Sequence, residues 1–179
     1  MKIKIYNMRY DNAKEFFLGD DRCELVLEDE AFWKKKNCHV ESPAELNFNI
    51  LKNQTETVLF FLCCADEKPV SHFCFQVLPT RSGKFVGYIF WFYTMEAYRG
   101  KGITQYFLRD TLETIQEHFE GKIGLRTDED NVVSRHIFEK LGFELGDTEV
   151  EVDDSVNQAP EVEYVLTKPV RCHEVGNAG

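Results

Sequence analysis

Apolar and polar residues alternate at the start of the chain, M-K-I-K-I-Y-N, so Ile3 and Ile5 share one face of an opening strand. Asn12 to Leu18 predicts a short helix capped by Asp11 or Asn12. From Gly19 to Asn53 the periodicity weakens. There, W-K-K-K and S-P-A-E-L-N predict irregular helix, with Ser42, Pro43 and Glu45 marking a helix start. The character then changes. Thr57 to Ala65 is a nearly unbroken apolar run, D-E-K-P is a turn, and Val70 to Leu78 is a second strand. After T-R-S-G-K, Phe85 to Met95 forms a third long apolar run. Runs apolar on both faces belong to central strands covered by helices above and below. Ile103, Phe107, Leu108, Leu112 and Ile115 recur at helical spacing and predict a helix over Thr104 to Phe119. Lys122 to Thr127 reads as a short strand, and Asn131 to Leu141 as a second helix with Ile137, Phe138 and Leu141 apolar. Phe143 to Val152 and Val162 to Thr167 alternate as two closing strands, joined by D-D-S-V-N-Q-A-P. This pattern predicts one α/β (α+β) domain over residues 1–170 and a loose tail over 171–179.

Composition narrows the class. A chain of 179 residues, 43% hydrophobic with fifteen Phe, suits one domain with a sizeable core. Its net charge of −10 argues against a grip on nucleic-acid backbones. That acidity serves solubility, or else draws in a cationic substrate such as an amine. The six cysteines form no C-x-x-C pair and no ordered spacing with histidines, so a reduced, cytoplasmic protein without a metal site is expected. No signal-peptide pattern opens the chain. The longest apolar run, Phe85 to Tyr93, is about half what a membrane-spanning helix needs.

Candidate chemistry concentrates in E-A-Y-R-G-K-G-I-T-Q-Y-F-L-R-D, Glu96 to Asp110. A helix beginning just after a strand has unpaired N–H groups and a positive dipole end at its first turn. Glycines let that backbone approach a ligand with no Cβ in the way. Such a turn suits phosphate, and pyrophosphate above all. Arg99 and Lys101 add positive charge to an acidic chain. A P-loop requires Ser or Thr after its lysine, but Gly102 follows Lys101; a dinucleotide fingerprint requires glycine where Gln105 stands. Arg99-Gly100-Lys101-Gly102-Ile103-Thr104 instead resembles R-G-x-G-x-[GA], the pyrophosphate-binding signature of the GNAT superfamily of N-acetyltransferases. N-V-V-S-R-H-I-F-E-K-L-G-F, Asn131 to Phe143, is similar to that family's N-x-x-[AS]-x-x-x-Y-x-x-x-G-F segment. The order of elements resembles the family from about Lys2 to Thr167.

The resemblance implies a mixed central sheet of about six or seven strands, splayed between strands 4 and 5, with helices on both faces. Acetyl-CoA, or another short acyl-CoA, would wedge into the splay. Its pantetheine arm would pair with the backbone of Phe92, Tyr93 and Thr94 in a form of strand addition. The amides of Arg99, Gly100, Lys101, Gly102, Ile103 and Thr104 would hold its pyrophosphate. Asn131 would contact the pantetheine, with Ser134 and Phe138 facing the cofactor; Asn131 equally suits a helix N-cap. The implied activity is acetyl transfer to a primary amine of a small molecule or peptide in a ternary complex, by a monomer or homodimer. Thr104 stands where the family keeps a small residue, and either crowds the turn or adds a hydrogen bond to phosphate.

Acetyl transfer to an amine needs a proton acceptor, because an amine of pKa about 10.4 is almost wholly protonated at neutral pH. Within Val86 to Tyr93, where relatives keep a base, no acidic or histidine side chain occurs. His72 on the preceding strand and Asp128 at the end of the fifth are the candidates; a satisfied strand histidine and a turn aspartate are the plainer readings. The family's usual proton donor is a tyrosine at the position of Phe138, which can pack but cannot protonate a thiolate. Tyr93, Tyr98 and Tyr106 carry the missing phenol, and His136 lies about 200° around the helix from Ser134. Asp153 and Asp154 could rim an acceptor cleft. W-K-K-K at Trp33 to Lys36 reads as a solvated helix face or a docking patch. Without a base on that strand and without the tyrosine, an acyl-CoA-binding module lacking turnover is the competing expectation.

Overall fold

The computed structural model describes residues 1–10, 58–66, 68–151 and 160–170. The helices expected before residue 54, the W-K-K-K stretch, the Asp153–Asp154 loop and the tail lie outside the described residues. Among the described residues there are seven strands: β1 (Ile3–Tyr10), β2 (Val58–Ala65), β3 (Lys68–Pro79), β4 (Phe85–Thr94), β5 (Ile123–Asp128), β6 (Glu144–Leu145) and β7 (Glu161–Leu166). They form a single sheet in the order β1-β2-β3-β4-β5-β7-β6. Among these described strands only β4 and β5 run parallel; every other neighbouring pair is antiparallel. This is the mixed α/β architecture expected, with a parallel seam between the fourth and fifth strands.

Two helices follow from the apolar spacing, α1 (Ile103–His118) and α2 (Val132–Lys140). The five stripe residues Ile103, Phe107, Leu108, Leu112 and Ile115 are all buried, and each removes roughly 1.5–3 kcal/mol worth of apolar side chain from water. They pack on Phe61, Phe73, Phe75 and Val77, the alternate residues of β2 and β3, in the main core. Phe73 is its hub, stacked 5.0 Å from Phe61 and tilted 5.1 Å from Phe107 between ring centroids. The opposite sheet face carries a second cluster of Val86, Tyr88 and Val150. Cys63, Cys64 and Cys74 are buried. Burial, then the neighbouring Cys64 and Asp110, pushes the Cys63 thiol up to about 12, so it stays protonated and unreactive. No helix among the described residues is long and apolar enough to cross a membrane.

One strand departs from expectation. Of Phe143 to Val152, only Glu144 and Leu145 ladder with β7. Gly146 still donates its N–H to Glu163 O at 3.1 Å, and then the chain turns away. The Asp147 carboxylate accepts the Glu149 N–H at 2.6 Å, and Glu149 adopts φ 60°. A side-chain acceptor two residues upstream offers the backbone an alternative to the ladder, and here it prevails. The turn places Thr148 against Gly124, where a Cβ would overlap the Thr148 methyl, and ties its hydroxyl to Glu163.

Candidate functional site

The parallel seam between β4 and β5 is short. Gly87 pairs with Ile123, Tyr88 with Gly124 and Ile89 with Leu125, and there the ladder stops. Both strands continue. β4 stays paired with β3 as far as Thr94 opposite Ser71, and β5 stays paired with β7 as far as Asp128 opposite Glu161. Each strand thus keeps its outer partner while the inner edges part, which leaves a wedge open between Phe90–Thr94 and Arg126–Asp128. The splay expected between strands 4 and 5 is present.

A β-bulge accompanies the parting. His72 opposes Tyr93 and Cys74 opposes Phe90, so Phe73 alone faces both Trp91 and Phe92. Trp91 sits at φ 53°, a left-handed conformation that costs a side-chain-bearing residue about 1–2 kcal/mol. Bulges bend and over-twist the strand that carries them, and this one falls where β4 leaves β5. The sequence held no sign of it, because an aromatic run is ordinary strand composition.

The glycine turn sits at the mouth of the wedge. A single 3₁₀ turn, Glu96–Tyr98, leads into it, and the Arg99 N–H donates back to Glu96 O at 3.1 Å. The Arg99 amide is therefore used inside that turn. Gly100 and Gly102 follow at φ 71° and 76°, and a Cβ on either would meet nothing within 4 Å. Here glycine is required by conformation, not crowding. Gly102 is the N-cap of α1, and no side chain caps it. The N–H groups of Ile103, Thr104 and Gln105 open the helix without intrahelical acceptors. An uncapped helix start in open space, flanked by exposed Arg99 and Lys101, fits a diphosphate. Neither cation stands wholly apart: Arg99 Nε donates to Thr94 O at 2.9 Å over the Tyr93 ring, and Lys101 Nζ lies 5.3 Å from the Tyr98 ring centroid. Ile103 turns into the core, while the Thr104 hydroxyl bonds that of Thr94 at 2.9 Å.

Across the wedge, α2 begins at Asn131, whose Oδ1 accepts the Ser134 N–H at 3.1 Å. What Asn131 can offer a ligand is its amide Nδ2. Ser134 is half-buried one turn on. The helix ends in a Schellman motif: Gly142 N–H donates to Glu139 O and Phe143 N–H to Phe138 O, both at 3.0 Å, with Gly142 at φ 95°. Such a motif brings together apolar residues at its two ends, and Phe138 meets Phe143 edge-to-face at 5.9 Å. Phe138 also meets Phe92 of β4 at 6.3 Å. Its ring is buried packing at the root of the wedge.

The proposed acid–base residues are dispersed. His72 is 2% exposed and stacked between Phe60 and Tyr93, at 5.1 and 5.8 Å. Burial lowers its pKa to about 3 against a smaller opposing effect of a hydrogen bond with the Trp91 backbone. It is a neutral ring beneath Tyr93. Tyr93 itself is half-buried between His72 and the Arg99 guanidinium, 5.7 Å from its ring centroid. Asp128 is exposed on the β5 lip, and its carbonyl accepts the Asn131 N–H at 3.0 Å. The structure therefore brings Phe92, Tyr93, Thr94 and Arg99 together on one lip, and Asp128, Asn131 and Ser134 on the other.

Comparison with known proteins agrees with this fold. The model of the acetyltransferase (GNAT) family matches residues 23–143. No curated protein matches the sequence. Among solved structures, the chain is similar to Arabidopsis thaliana Naa50 in complex with the bisubstrate analogue CoA-Ac-MVNAL, at 18% identity and TM-score 0.55, covering 92% of this chain and 97% of that one. It is also similar to the NatC complex bound to Gag peptide and CoA, at 17% identity and TM-score 0.56, covering 93% and 98%. An acetyltransferase from Streptococcus agalactiae aligns at 18% identity and TM-score 0.52, covering 90% and 97%. At such identities the likeness is one of fold.

Proposed function

Because the chain belongs to the acetyltransferase (GNAT) family, we propose that it moves the acetyl group of acetyl-CoA to a primary amine of a small molecule or peptide, in one ternary complex. The observation that carries this reading is the wedge between two strands that each keep an outer partner, with an uncapped glycine turn at its mouth. Two of the similar structures hold a CoA-containing ligand together with a peptide or its mimic, which supports a cleft that seats both substrates. Bound there, acetyl-CoA would supply a thioester whose carbonyl carbon the amine nitrogen attacks, with the C–S bond breaking and the proton lost to water or carboxylate.

The chain's own contribution is placement first. Amides from Gly100 to Gln105 seat the diphosphate, and the inner edge of Phe92–Thr94 supplies backbone groups for the extended arm. Asp128, the exposed carboxylate on the opposite lip, takes the ammonium proton directly or through water. His72, buried and neutral, supports Tyr93 from beneath. Phe138 has no proton to give, and a thiol of pKa about 8.5 leaves as thiolate with solvent as its acid. That same Phe138 favours a second reading, an acyl-CoA-binding module without turnover.

A direct test pairs binding with turnover. Calorimetry should show CoA binding to the wild type and none to Gly102→Glu, which puts bulk and negative charge into the turn. Unchanged affinity in that variant removes the diphosphate seat. Acetyl-CoA with a panel of primary amines should release free thiol; CoA binding without thiol release across the panel selects the binding module.

A further inference from the structure

Thr104 bonds a hydroxyl on β4, and the chain of hydroxyls continues. Thr104 Oγ1 lies 2.9 Å from Thr94 Oγ1, which lies 2.8 Å from Ser71 Oγ, which lies 2.8 Å from the carbonyl oxygen of Tyr93. A carbonyl can only accept, so the single Ser71 proton goes to Tyr93 O. Ser71 must then accept from Thr94, and Thr94 from Thr104. The direction is forced along the whole chain. Ser71 is fully buried and Thr94 is 6% exposed, so each hydroxyl that lost its partner would be left without water to replace it. One consequence is immediate: the Thr104 proton is committed inward, and this hydroxyl has none to give to a phosphate.

We propose that Ser71, Thr94 and Thr104 act as positioning residues, a strap that fixes the distance between the open edge of β4 and the glycine turn of α1. The inference rests on the coenzyme A reading of the wedge. Its physical content is that of a bidentate site. The thiol-bearing arm lies along Phe92–Thr94 and the diphosphate sits at Gly100–Gln105, so one ligand bridges two seats carried by different elements. Spacing between the seats matters only to a ligand that occupies both. Where the family keeps a small residue, this chain has Thr104, and Thr94 and Ser71 give its hydroxyl a place to go.

Calorimetric titration with CoA, and with 3′-phosphoadenosine 5′-diphosphate as a probe that carries the diphosphate but no pantetheine arm, tests the strap. Thr104→Val keeps the shape and deletes the hydroxyl; it should weaken CoA by about fivefold, the effect of one net hydrogen bond, and leave the fragment unchanged. Thr104→Ser should bind CoA as the wild type does. Thr94→Val removes that bond and the one to Ser71 as well, so it should weaken CoA at least as much as Thr104→Val, and the double variant should lose no more than Thr94→Val alone. Equal losses for CoA and for the fragment would show a local role in the turn and overturn the strap. So would unchanged CoA affinity in Thr104→Val, or a Thr104→Ser variant as weak as Thr104→Val. Failure of the wild type to bind CoA at all overturns the wedge reading itself, and the strap with it, which separates the two failures.

Discussion

The two halves of the β4–β5 seam use glycine for opposite reasons. In the closed half, Gly87 and Gly124 sit under side chains: a Cβ at Gly87 would lie 2.5 Å from Phe75 Cζ, and one at Gly124 would overlap the Thr148 methyl. At the mouth of the open half, Gly100 and Gly102 have empty space around them but left-handed backbones. The first pair lets two strands and their coverings close; the second lets a chain curl and leave its amides bare. One half is organised to exclude everything, the other to admit something. A glycine in a sequence says only that a Cβ is unwelcome. The tertiary setting says whether sterics or φ forbids it.

Perturbing the two sides separately sharpens the contrast. The largest effect is expected at His72 on β3, which backs the open half at Tyr93. In the folded state burial lowers its pKa from 6.5 to about 3. Between those values the unfolded chain binds a proton that the folded chain refuses. Stability is therefore whole above pH 6.5 and declines as pH falls toward 3, by about 3 kcal/mol between pH 7 and pH 4. Urea unfolding at several pH values should show this slope in the wild type and its loss in His72→Phe; an identical slope in the variant would place the acid sensitivity elsewhere. Gly87→Ala comes next, at about 2 kcal/mol, because Phe75 is buried and cannot swing aside. Its urea midpoint should fall at constant m-value, and an unchanged midpoint would break the argument that crowding selects this glycine. Gly100→Ala should cost least, about 1 kcal/mol from its φ alone. A loss there as large as at Gly87 would mean that the turn is packed, contrary to the open space around it.

Much of this fold could be read along the chain because its causes are local. The α1 stripe from Ile103 to Ile115 needed only helical spacing. The end of α2 was legible in F-E-K-L-G-F, since a Schellman motif wants glycine after the last turn and an apolar residue at each end. The glycine turn was legible too, as a strand, two glycines and a helix. What escaped was set by contacts between distant segments. The Trp91 bulge arises where β4 leaves β5 while still paired to β3, and nothing about tryptophan announces φ 53°. The short β6 reflects one side-chain hydrogen bond at Asp147 prevailing over alternation. Ser71 escaped as well, being a lone hydroxyl in a strand until Thr94 and Thr104 arrive beside it.

By itself, then, the amino-acid order determined the three long central strands, α1 and α2, where the bare amides lie, and that residue 138 carries no acid. Periodicity, caps and glycine positions act within a few residues, and they survive any change of partner. Tertiary structure alone decided that the wedge opens after Ile89 and Leu125, that His72 is a buried neutral ring while Asp128 faces solvent, and that Thr104 points inward. Those outcomes depend on which surfaces exclude water and which hydroxyls meet, and burial and hydrogen-bond direction are properties of the assembled neighbourhood.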